Sequence, residues 1–208
     1  MSRCFSRALV TLSLVLAPSV THGAVTGWTD VVVRVYDANG VLAGTNRAAL
    51  AYARKTLEAA SVDVTWRLCG PSPCDAPMAP GELAIRIVRS ALPQRYQGTV
   101  PLGDALVDHN TGVGVLATIY FDRVLWLAAR ADADSRVLLG SAIAHELGHL
   151  LLATTSHGPA GLMRALWSQE EVRRRYSSDW TFAPAEIATI RSRADARRID
   201  ASRIWGTR

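Results

Sequence analysis

His145-Glu146-Leu147-Gly148-His149 is the segment of this 208-residue chain whose residue types and spacing can do chemistry. In a helix, residues four apart project from one face, so two imidazoles can reach one Zn²⁺ at about 2.0–2.1 Å. Glu146 then lies beside the position left for water. A carboxylate there can take a proton from a zinc-activated water and pass it to a leaving amine. The flanking sequence supplies the helix: Val137, Leu138, Ala142, Ile143, Leu147, Leu150 and Leu151 recur at helical spacing and should bury one broad face. The alternative is an ordinary amphipathic helix with two histidines and a glutamate on its wet face. Against it, the three polar groups interrupt a run of Ala, Leu, Ile and Gly, where burying them without a metal or partners is costly.

A catalytic zinc takes a third protein ligand. His157 is the nearest downstream candidate, in Ser156-His-Gly-Pro-Ala-Gly-Leu-Met163. Glu170 and Glu171 lie farther on, in a charged run that reads more simply as a solvated face, and His109 sits in the loop segment Val-Asp-His-Asn-Thr-Gly. Over Ile143 to Met163 the chain resembles the metzincin clan of zinc peptidases. In that clan His-Glu-x-x-His is followed by a glycine turn, a third zinc-binding histidine and a methionine in a tight turn beneath the metal. The resemblance implies His157 as third ligand and Met163 as the Met-turn residue, with Gly161 permitting the tight turn. It also implies Zn²⁺ as cofactor and hydrolysis of peptide bonds in a peptide or protein substrate, with the pocket built around Pro159 to Trp167. Two features depart from the pattern: His157 follows His149 by eight residues where the clan has six, and Leu152 stands at the turn glycine. A surface loop absorbs two residues at small entropic cost. The gluzincin pattern would instead draw a glutamate such as Glu170 or Glu171 from a later helix.

The elements that must position this segment follow from periodicity. Val31 to Tyr36, Val62 to Leu68, Leu83 to Val88 and Gly114 to Phe121 read as strands, from β-branched runs or alternation. Arg47 to Ala60 reads as a helix that Asn46 can cap, Arg123 to Ala131 as a short one, and Asp132-Ala-Asp-Ser135 as the capping cluster of the active-site helix. Leu92 to Gly112 reads as a long surface loop. A short helix over Gln169 to Tyr176 and a C-terminal helix after Pro184 complete the order. The expected fold is α+β: a metzincin-like domain with a mixed twisted sheet of four to five strands packed on the active-site helix, then a small helical C-terminal part. Gly114 to Phe121 is either an interior strand or, by analogy with the clan, the cleft-edge strand that takes an extended peptide by strand addition.

Arg3, Arg7 and the apolar run Ala8 to Ala17 have the form of a secretory signal, with cleavage after Gly23 and Ala24 as the neighbouring choice. Residues 1–23 are thus expected to be a signal peptide and 24–208 one catalytic domain of about 185 residues. The apolar run is too short for a stable membrane anchor, and the destination is secreted or periplasmic. In that compartment Cys69 and Cys74 are expected to form a disulfide. Arg67-Leu-Cys-Gly-Pro also loosely resembles the cysteine-switch segment of matrix metallopeptidases, in which a thiolate blocks the zinc. A formal charge of +5, about +3 once Arg3 and Arg7 are removed, is spread along the chain and argues against a nucleic-acid partner. A monomer is assumed. The competing reading of the whole is a secreted, zinc-stabilised binding module without catalysis.

Overall fold

Valine-rich and isoleucine-rich segments build the sheet, and small-residue helices cover it. The computed structural model describes residues 29–69, 74–90, 100–108, 110–174 and 177–193. The expected signal peptide and His109 lie outside them. In chain order the elements are β1 (Thr29–Tyr36), α1 (Ala48–Glu58), β2 (Val62–Cys69), β3 (Leu83–Val88), β4 (Gly103–Asp108), β5 (Val113–Tyr120), α2 (Phe121–Arg130), α3 (Ser135–Leu152) and α4 (Gln169–Arg174). A further helix, α5, runs over 184–193. The strands form one mixed sheet in the order β2-β1-β3-β5-β4, parallel except for β4, which runs antiparallel to β5. Val33, Val35, Ile85, Ile87, Ala117 and Ile119 bury against the helical layer of α1 and α3. No described helix is long and apolar enough to cross a membrane.

Several expectations change. The stretch read as a loop from Leu92 to Gly112 contains β4, a six-residue strand whose Gly103, Asp104 and Asp108 hide the strand signal. Because β4 takes the edge, β5 is interior, paired on both sides. The cleft-edge role cannot belong to Gly114–Phe121; the sheet edge on that side is β4. Phe121 opens α2 instead of closing the strand. Asn46 does not cap α1: its side chain donates to the Val41 carbonyl, a 3-10 turn precedes the helix, and Arg47 occupies the capping position without a side-chain bond.

Cys69 and Cys74 do form the expected disulfide, so the Cys69 sulfur is not a free thiolate. The buried Arg34 of β1 donates to Glu82 and to the carbonyls of Ala76 and Pro77, tying the segment between the disulfide and β3 to the sheet.

The most consequential difference lies in α3. One buried face was expected, yet every residue from Leu138 to Leu151 is buried. The reason is tertiary: α1 and α2, β4 and β5, and the segment through Met163 and Phe182 together surround the helix. Its start is set as expected, by the Asp134 carboxylate accepting from the Arg136 N–H at 2.8 Å. Replacing Asp134 by Ala should cost about 1 kcal/mol of stability, read from urea unfolding, and leave metal binding unchanged because the cap is remote from the histidines.

Candidate metal centre

His145 and His149 project from the last two turns of α3, and the chain after the helix brings His157 back to them. The ligand-capable nitrogens of the three rings lie within 4.8 Å of one another. His145 and His157 stack at 5.5 Å between centroids, and His149 meets both rings edge-on. Two buried rings and one exposed ring make a centre open on one side.

The turn that returns His157 departs from the clan pattern in an interpretable way. The left-handed residue is Ala153, at φ 51°, one position beyond the expected Leu152, which stays helical. One of the extra residues thus lengthens α3 and the other enlarges the loop before His157. Gly158 N–H donates to the Met163 carbonyl at 2.9 Å, closing the turn in which Gly161 takes φ 77°. Met163 is buried beneath α3 at Gly148, where a methyl group would lie 2.5 Å from its sulfur and 2.7 Å from the Phe182 ring.

Backbone carbonyls orient the two helical imidazoles. His145 Nδ1 lies 2.7 Å from the Leu162 carbonyl, and His149 Nδ1 lies 2.8 Å from that of Thr154. A carbonyl can only accept, so each Nδ1 carries the proton and each neutral ring presents an Nε2 lone pair. These two Nε2 atoms are 3.1 Å apart. Two lone pairs at that distance repel, which a bound cation between or beside them would relieve, and imidazole sets of this kind suit divalent transition metals.

The electrostatics agree. Burial pushes the His145 imidazolium down to about 3, against the opposing hydrogen bond to Leu162, with His149, His157 and Arg164 adding repulsion. Burial also lowers His149 and His157. Glu146 is 5% exposed, and its Oε2 has no hydrogen-bond partner among the described residues. Burial first, then the nearby Asp104 charge, push its carboxyl from 4.5 up to about 8.

One cavity joins these groups. His145, Glu146, His149 and His157 line it together with Leu102, Gly103 and Asp104 of the β4 edge and Ala165, Leu166 and Trp167 beyond the Met163 turn. The expected pocket region, Pro159 to Trp167, thus contributes its last residues. Trp167 is buried and lies nearly perpendicular to the His145 ring, with centroids 5.5 Å apart. Gly103 carried no signal in the sequence, since nothing local marks a residue whose importance lies in what approaches it. Glu171 is engaged by Ser168 and Arg164, and Glu170 by Arg173. Neither joins the three histidines.

The fold is similar to that of archaemetzincin from Methanopyrus kandleri, with a TM-score of 0.52 and 14% identity over 86% of this chain and 99% of that one. No protein-family model matches the sequence, and no curated protein does. At that identity the likeness establishes the architecture: an α+β domain with a metzincin-like fold. Onto it this chain brings a histidine triad that could hold a metal ion.

The raised Glu146 carboxyl has a measurable consequence in the metal-free protein. Between pH 6.5 and 8.5 an unfolded glutamate is ionised, whereas the folded one holds its proton until about 8. The folded state therefore binds more protons, and stability should fall as pH rises through that window. Relative to Glu146→Gln, the wild-type urea midpoint should drop between the two pH values; in the variant the three lowered histidines remain, and its midpoint should rise slightly.

Proposed function

We propose that this protein is an exported zinc peptidase that cleaves peptide bonds with Glu146 as general base and His145, His149 and His157 as metal ligands. The observation that carries the reading is the pair of Nε2 lone pairs 3.1 Å apart, beside a buried carboxylate with an unpartnered oxygen. The metzincin-like fold supports it, as does the position of Met163 under α3. When bound, zinc supplies a Lewis acid that polarises the scissile carbonyl and makes water a nucleophile near neutral pH.

The chain's own residues do the rest. Glu146 accepts a proton from the attacking water and delivers it to the amine as the C–N bond breaks. The proton thus moves from nucleophile to leaving group, and the carboxylate returns to its starting state. Leu162 and Thr154 carbonyls hold the imidazoles in the tautomer that presents Nε2. The edge strand β4 is the surface to which an extended substrate adds as a further strand, a role transferred from the interior β5. Met163 closes the floor beneath the helix, and Leu166 and Trp167 wall the cavity. Export is supported by the charged and apolar pattern of residues 1–23 and by the Cys69–Cys74 disulfide.

A zinc-stabilised binding module would use a closed site with a fourth protein ligand. Among the described residues the histidine group has three members, and such a module has no use for a buried free carboxylate. Elemental analysis and peptide turnover separate the two. Wild type and Glu146→Ala should each hold about one zinc, as a three-ligand catalytic site does, whereas His157→Ala should lose most of it. Turnover of a peptide library should drop about 10²–10⁴-fold in Glu146→Ala. Unchanged turnover in that variant would sink the base assignment.

A further inference from the structure

The edge strand approaches the active-site helix most closely at Gly103. A methyl group there would lie 2.6 Å from Glu146 Oε1, 2.7 Å from Glu146 Cγ and 2.5 Å from the Thr118 carbonyl oxygen. No real side chain fits at those distances without moving the strand or the carboxylate. The strand is not free to move: Gly103 pairs with Ile119 in the ladder, and the Tyr120 N–H donates to the Leu102 carbonyl at 2.8 Å. Below, α3 is buried on all sides and equally fixed. The Glu146 side chain therefore lies between the buried α3 and the paired backbone of β4.

We propose that Gly103 is a positioning residue for Glu146: the side chain it lacks leaves a slot for the carboxylate, and the β4 backbone fixes where that carboxylate stands relative to the three histidines. The inference deepens the peptidase reading and rests on it for its catalytic consequence. A general base works only within hydrogen-bond reach of the proton it takes. Displacement of a catalytic group by about 1 Å costs on the order of 10²-fold in rate. An edge strand that also aligns substrate would couple substrate position and base position through one piece of backbone.

The test uses the full chain in two states. In the zinc-loaded protein, Gly103→Ala should lower kcat about 100-fold with zinc content near wild type, because the carboxylate moves while the ligands stay. In the metal-free protein, urea midpoints are compared for Gly103→Ala, Glu146→Ala and the double variant. Glu146→Ala removes both Glu146 atoms that clash and leaves the Thr118 carbonyl contact, so the double variant should regain part of the stability that Gly103→Ala loses. Should Gly103→Ala alone fail to fold, a folded double variant supports the proposal and an unfolded one overturns it. Additive midpoint changes, or a kcat within twofold of wild type, also overturn it; the clash would then be with Thr118 and concern only the sheet. The stability cycle needs no substrate and no metal. It therefore decides the Gly103–Glu146 contact even where Glu146→Ala turnover has disproved the base assignment.

Discussion

Two imidazoles with their Nε2 lone pairs 3.1 Å apart, inside a helix buried on every side, set the constraint to which the rest of the molecule answers. Such an arrangement is unfavourable without a cation, because each ring has already committed its proton to a backbone carbonyl. Those carbonyls belong to Thr154 and Leu162, both beyond the end of α3. The chain that follows the helix therefore has to fold back beneath it before the imidazoles have a defined orientation. The left-handed turn at Ala153 and the closed loop from Gly158 to Met163 accomplish that return, and they deliver His157 in the same movement.

Enclosure on all sides demands small residues where neighbours press closest. Gly148 admits the Met163 sulfur and the Phe182 ring from below, and Gly103 admits Glu146 against the sheet edge from the other side. Both contacts are set by what a β-carbon would strike. The same enclosure raises the Glu146 carboxyl to about 8 and lowers all three histidines. Desolvation penalises charge in both kinds of group, so one physical cause produces shifts of opposite sign. The metal-free centre is in effect neutral, a state in which a divalent ion would introduce the dominant charge.

Much of this was legible in advance where the signal was local. The spacing of His145, Glu146 and His149, the β-branched runs of β1 and β3 and the Asp134 cap are short-range patterns, and each appears where periodicity places it. The disulfide followed from two cysteines close in sequence. The edge strand was not legible: Gly103-Asp-Ala-Leu-Val-Asp108 has two acids and a glycine in six residues, and it becomes a strand because β5 offers it a ladder. The same oversight made β5 a candidate for the edge. Asn46 looks like a cap by type, but capping depends on the dihedral angles of the entering chain, and here a 3-10 turn intervenes.

The sequence by itself determined the chemistry on offer: two imidazoles and a carboxylate on one helix, a third imidazole and a methionine shortly after, and enough alternating apolar segments to make a sheet that covers that helix. Helical spacing is a covalent property of the chain once a helix forms, so those assignments need no knowledge of what lies across the core. Which downstream group completes the triad, which strand forms the lip of the cleft and which glycine leaves room for the Glu146 carboxylate were decided only by the tertiary structure. Those are distances between segments far apart in sequence. They are set by how β4, the Met163 turn and α3 pack against one another, and nothing in a local pattern encodes the space between them.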